Sequence, residues 1–149
     1  MEDMKSAKLE QTVDANWLLL FSCWLIAASS TLGSLFFSEI MQYAPCVLCW
    51  YQRILMYPLV VIILIGSFPL DKSIIKYALP LAAIGAVIAL YHNLIYYGFI
   101  PESIQPCSRG VSCAEIYPEI FGVLTIPLLS LAAFLTIVIL LIILKRRIT

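Results

Sequence analysis

Residues 43–53 read YAPCVLCWYQR and hold two cysteines three positions apart. At this C-x-x-C spacing Cys46 and Cys49 suit two chemistries: metal ligation, or cycling between a dithiol and a disulfide. Pro45 suits the first position of a helix, where its missing N–H costs nothing, which would put both cysteines in a helix's first turn. The partial positive charge of a helix N-terminus favours a thiolate over a thiol. A thiolate is both the attacking species and the better leaving group in disulfide exchange. Arg53 follows Cys49 by four residues, so it shares that helix face one turn deeper. It can add positive charge near Cys49 or donate hydrogen bonds to a polar ligand. A second pair, Cys107 and Cys113, closes a short ring farther along, and Cys23 stands apart.

The elements that must position these residues are apolar. Of 149 residues 62% are hydrophobic and 12% charged, and mean hydropathy is +0.99. A soluble domain is about 45–50% apolar, so this chain would leave large apolar surfaces in water. The formal net charge is zero, so nothing points to nucleic acid, and no segment alternates apolar and polar residues as an outer-membrane strand would. A helix needs about 20 apolar residues to cross the hydrocarbon core, and four runs qualify. The expectation is an all-α integral membrane protein of one domain: a four-transmembrane-helix bundle with spans at about 16–37, 47–68, 77–97 and 121–144. Pro58, Pro80 and Pro127 fall within spans, where neighbouring helices can satisfy the freed carbonyls. The first run exceeds the roughly 7–15 residues of a signal-peptide core and reads as a span.

Orientation follows from lysine and arginine. Lys5, Lys8, Lys72, Lys76, Lys145, Arg146 and Arg147, seven of the nine basic residues, fall on one side of a four-span arrangement. Both termini are therefore expected in the cytoplasm, with outer loops at 38–46 and 98–120. That topology collects Cys46, Cys49, Cys107 and Cys113 on the outer side, where disulfides persist. Cys23 falls inside span one and reads as core packing. Trp50, Tyr51, Tyr96 and Tyr97 read as an interfacial aromatic belt.

Other readings compete. A Cys₄ zinc site fits poorly, because C-x2-C with C-x5-C lacks two close pairs and no histidine accompanies the cysteines in sequence; the expectation is no metal. An inert structural disulfide is a second alternative. Arg53 by itself could snorkel to the outer interface, yet an ionisable group at that depth is a functional candidate by default. His92 reads as a packing histidine except for its level near the outer end of span three. Exposed loop disulfides exchange readily, so one loop-borne pair and one membrane-level pair suggest a relay. Electrons would enter at Cys107/Cys113, pass to Cys46/Cys49, and leave into something lipid-soluble. A membrane quinone fits that sink, with Arg53 and His92 placed to hydrogen-bond its carbonyl oxygens.

The stretch PCVLCWYQR, the YHN at 91–93 and the cysteine pair between spans three and four carry a resemblance over almost the whole chain. The sequence resembles the DsbB family of disulfide bond formation proteins, in its shorter BdbC-like branch. Members of that family couple a DsbA-like thioredoxin-fold oxidase to a quinone. The resemblance implies a quinone-dependent thiol oxidase of the bacterial plasma membrane, using ubiquinone or menaquinone. It implies that Cys107 accepts the partner's attack, that Cys113 is the other half of that pair, and that Cys46 and Cys49 take the electrons next. Cys49 would face the quinone, and Arg53 with His92 would hold it. The chain departs from many relatives in its short Cys107–Cys113 loop. The vitamin K epoxide reductase type carries its loop cysteines before its C-x-x-C, the reverse of the order here. The rival functions are a membrane thiol reductase moving electrons outward and a disulfide-stapled, non-enzymatic membrane protein. Quinol production coupled to partner oxidation separates the first, and full function without Cys46 and Cys49 would favour the second.

Overall fold

The computed structural model describes residues 2–101 and 125–148. Four helices follow in order: α1 (Glu2–Leu35), α2 (Val47–Ser67), α3 (Ile75–Tyr96) and α4 (Ile126–Ile148). Each is long and apolar enough to cross a membrane, α1 together with the turn that follows it over Asp14–Ile40. No strand occurs among the described residues. Consecutive helices pack on one another and α4 closes back on α1, the neighbour order of an up-down bundle.

Helix ends differ from the hydropathy reading, because caps rather than apolar content stop a helix. Beyond Leu35, α1 continues as a single π turn, Phe36–Ile40, closed by Met41 N–H donating to Phe36 C=O at 3.2 Å. Gln42 then takes a left-handed backbone (φ 58), which ends the helix. The loop between α1 and α2 is therefore 41–46 rather than 38–46. Pro45 is not the first helical residue: Cys46 is the N-cap and Val47 opens α2. Thr125 is not helical, and its hydroxyl accepts from Leu128 N–H at 3.3 Å, so α4 starts at Ile126, later than the expected 121; residues 121–124 lie outside the described residues. Pro127 consequently sits in the first turn of α4, not in the span interior. At its other end α4 runs past 144 to Ile148 and takes Lys145, Arg146 and Arg147 into its last turn, where cations suit the helix's exposed carbonyls. Pro58 and Pro80 do lie inside α2 and α3.

Small residues set the packing. Ala78, Ala82, Gly85, Ala86 and Ala89 form the buried stripe of α3, and small side chains let membrane helices approach closely. A Cβ on Gly85 would run into the ring of Phe134, which is itself fully buried. The same stripe continues to His92 and Asn93. Asn93 Nδ2 donates to Ala89 C=O and to Pro127 C=O, both at 2.8 Å, and so ties the end of α3 to the start of α4. The facing stripe of α2 comprises Leu48, Gln52, Met56, Leu59 and Ile63. Two packing stripes thus deliver His92 and Gln52 to the same end of the bundle as the C-x-x-C pair. Cys23 is buried in the main apolar core with Ala27 and Leu59.

Candidate redox site

The site is built on the start of α2. The extended backbone of Cys46 (φ −70, ψ 170) lets its sulfur accept from Cys49 N–H at 3.4 Å, so the first cysteine caps the helix that carries the second. The two Sγ atoms are 3.0 Å apart and both cysteines are free thiols; a disulfide needs them about 1 Å closer. Cys46, the last residue before the span, is 3% exposed. From α3, His92 Nε2 lies 3.8 Å from Cys46 Sγ. A hydrogen bond from the Cys49 thiol, and after it the His92 side chain, hold the Cys46 thiol below its usual range although burial opposes them.

A hydrogen-bond chain orients the imidazole. Ser130 of α4 donates its hydroxyl to Gln52 Oε1, which turns the Gln52 amide nitrogen to His92 Nδ1 at 3.1 Å. An amide nitrogen only donates, so Nδ1 accepts and the ring hydrogen sits on Nε2, toward the Cys46 sulfur. The chain links three helices, and all three side chains are buried or half-buried.

Arg53 does not snorkel. It is 9% exposed, and its guanidinium turns into the bundle: Nε donates to Ser34 Oγ and Nη2 to Ser34 C=O, both at 2.8 Å. Trp50 lies under it, with the ring centroid at 5.4 Å, within cation–π range. A cavity of about 440 Å³ opens between the helices, and Cys49, Arg53, His92, Ser34 and Thr31 are among the residues that line it. Thr31 Oγ1 is buried there with no hydrogen-bond partner. Tyr96, read as part of the aromatic belt, also lines this cavity, whereas Trp50, Tyr51 and Tyr97 are about half exposed.

Of the residues singled out from sequence, Cys46, Cys49 and His92 come together and Arg53 shares their cavity. His92, expected to face a quinone, has its ring nitrogens against Cys46 and Gln52. Cys107 and Cys113 lie outside the described residues. Gln52, Ser130, Ser34 and Thr31 were not singled out. Their signal was nonetheless present: each is a polar residue inside an apolar run, and Gln52 sits four before Met56 on the buried stripe of α2.

Comparison with known proteins agrees in one direction. The family model described as "Disulfide bond formation protein DsbB" matches residues 15–144. The chain is 51% identical over 134 residues to a "Probable disulfide formation protein" of Metapseudomonas resinovorans, covering 89% of this chain and 93% of that one. It is 48% identical over 130 residues to "Disulfide bond formation protein C" of Bacillus subtilis (strain 168), covering 86% and 93%. A "Probable disulfide formation protein" of Deinococcus radiodurans is 44% identical over 139 residues, covering 87% and 90%. No solved structure matches. A C-x-x-C pair at the start of one helix of a four-helix membrane bundle, matched along nearly its whole length, places this chain in the DsbB family of disulfide bond formation proteins.

Proposed function

We propose that the protein is a membrane thiol oxidase that reoxidises a DsbA-like thioredoxin-fold dithiol protein and passes the electrons to a membrane quinone, ubiquinone or menaquinone. The observation that carries this reading is a C-x-x-C pair opening on a cavity inside the bundle, beside a buried arginine. The residues present suit a quinone head group. Arg53 commits two of its five N–H donors to Ser34, and Thr31 Oγ1 is buried without a partner on the cavity wall. Arg53 and Thr31 would hold the carbonyl oxygens, and the apolar lining would hold the ring. A bound quinone supplies the capacity to take up two electrons and two protons.

The chain's own residues divide the exchange. A thiolate of the partner attacks Cys107, and Cys113 leaves as a thiolate. Cys113 attacks Cys46 in the Cys46–Cys49 disulfide, and Cys49 is released toward the cavity. The partner's second thiol then displaces Cys107 and completes the partner's disulfide; Cys107 displaces Cys46 and restores the loop disulfide, leaving Cys46 and Cys49 reduced. The Nε2–H of His92 and the capped helix start stabilise Cys46 as it departs. The basic residues of the α2–α3 turn and of the last turn of α4 support an orientation with both termini in the cytoplasm and the cysteines outside.

Non-reducing electrophoresis tests the reading. In Cys113→Ser, Cys107 lacks its ring partner, and a mixed disulfide with the thioredoxin-fold oxidase should accumulate and be identifiable by mass spectrometry. In Cys107→Ser the adduct should be weak or absent. Equal adducts would remove the order of attack, and no adduct with activity intact would make the loop pair a staple. After reduction, an impermeant thiol reagent on whole cells should label Cys107 and Cys113; labelling only once the inner face is opened reverses the orientation.

A further inference from the structure

No histidine accompanies the cysteines in sequence, but the bundle supplies one from α3. Cys46 Sγ, Cys49 Sγ and a ring nitrogen of His92 lie within 4.8 Å of one another. Tetrahedral zinc with Zn–S of about 2.3 Å and Zn–N of about 2.05 Å requires S···S near 3.8 Å and S···N near 3.6 Å. The Cys46–His92 separation is already 3.8 Å, and the thiol pair needs to open from 3.0 Å by less than 1 Å. Cys46 and His92 are both 3% exposed, so two of the three ligands are held by packing rather than free to drift. A fixed partner for the far side of the imidazole is present as well. A metal-bound imidazole donates its other N–H to a fixed acceptor, and Gln52 stands at His92 Nδ1. Rotating the Gln52 amide by half a turn presents Oε1 to Nδ1–H and its NH₂ to the Ser130 oxygen, with the amide oxygen and nitrogen exchanging places and the rest of the side chain unmoved.

We infer that the reduced Cys46–Cys49 dithiol and His92 form a binding site for a thiophilic closed-shell cation, Zn²⁺ or Cu⁺ in kind, with a fourth position open to the cavity. Soft thiolate ligands select such ions. Binding releases the two thiol protons to solvent, and the imidazole keeps one hydrogen, moved from Nε2 to Nδ1. No electron is transferred. Occupancy holds the pair reduced, because both sulfurs are committed to the metal. The cation therefore inhibits any turnover that requires the Cys46–Cys49 disulfide. The site rests on these three side chains and not on the quinone or on the order of attack.

His92 is the one histidine of the chain, so its ring can be read without a substitution. Full-length protein with Cys107→Ser and Cys113→Ser, purified without a histidine tag, labelled with ¹⁵N-histidine and reduced, is titrated with ¹¹³Cd²⁺. Thiolate-to-cadmium absorption should plateau at one ion per chain. The Nε2 resonance should shift and show coupling to ¹¹³Cd, and oxidation of the pair should abolish both signals. His92→Ala should weaken cadmium binding by at least about tenfold, and the wild-type ring signal decides the matter if that variant does not fold. Absorption without coupling to the ring would reduce the site to a bare dithiol and overturn the proposal, as would the lack of a plateau at one equivalent. Because the loop cysteines are removed, failure here leaves the adduct test of the oxidase reading untouched.

Discussion

The amide nitrogen of Gln52 on α2 stands 3.1 Å from Nδ1 of His92 on α3, and this contact decides which ring nitrogen carries the hydrogen that faces Cys46. Replacing Gln52 with leucine removes the donor and frees the tautomer. The Cys46 thiol lies below its usual range, held there first by Cys49 and then by His92, so it should be alkylated at pH values where ordinary thiols are protonated. In Gln52→Leu the midpoint of that profile should rise by about one pH unit, the equivalent of about 1.4 kcal/mol of interaction with the thiolate. Mass spectrometry of the alkylated peptide distinguishes Cys46 from Cys49. An unchanged midpoint would make Gln52 a packing residue only.

Arg53 reaches α1 through two hydrogen bonds to Ser34. Arg53→Ala should raise the apparent KM for quinone by at least about tenfold, about 1.4 kcal/mol, with the protein still inserted. Arg53→Lys should recover little, because an ammonium cannot reproduce the guanidinium fork. Ser34→Ala should cost less than Arg53→Ala, since the contact to the backbone carbonyl of residue 34 survives. Initial rates of quinone reduction against quinone concentration read all three, and a wild-type KM in Arg53→Ala would leave the arginine a structural clamp.

Gly85 has no room for a side chain against Phe134. Gly85→Ala should destabilise the bundle by about 1–3 kcal/mol, the usual cost of overpacking. Adding Phe134→Leu should return part of that loss, because the two substitutions share one contact. Thermal unfolding in detergent measures the pair; strict additivity would mean that the helices separate rather than clash.

Cys23 sits in the core and is 1% exposed, on the half of α1 away from the 41–46 loop. Cys23→Ala should keep near-full oxidase activity while lowering the melting temperature slightly, as loss of a small buried group does. Collapse of turnover in a folded protein would add a fifth cysteine to the relay.

The four spans were legible in the sequence because the bilayer demands a length of apolar residues that is counted along the chain, without reference to partners. The C-x-x-C pair at the mouth of α2 and the arginine one turn below it were legible for a similar reason, since helical spacing is local. Helix ends were read less well: Pro45 and Pro127 looked like helix-interior or first-turn residues until Cys46 and Thr125 proved to be the residues that cap. The company of the dithiol was legible only as a level: the sequence puts His92 near the same end of the bundle, but not its contact with Cys46 or the Gln52–Ser130 chain behind it. His92 lies 46 positions from Cys46, and Ser130 lies 78 from Gln52. Nothing in the chain order says which faces of α2, α3 and α4 meet. Tertiary packing decided it, because the small-residue stripe of α3 admits Phe134 against Gly85 in one rotation of the helix. That rotation carries His92 inward to the sulfur and leaves Leu90 and Leu94 facing outward.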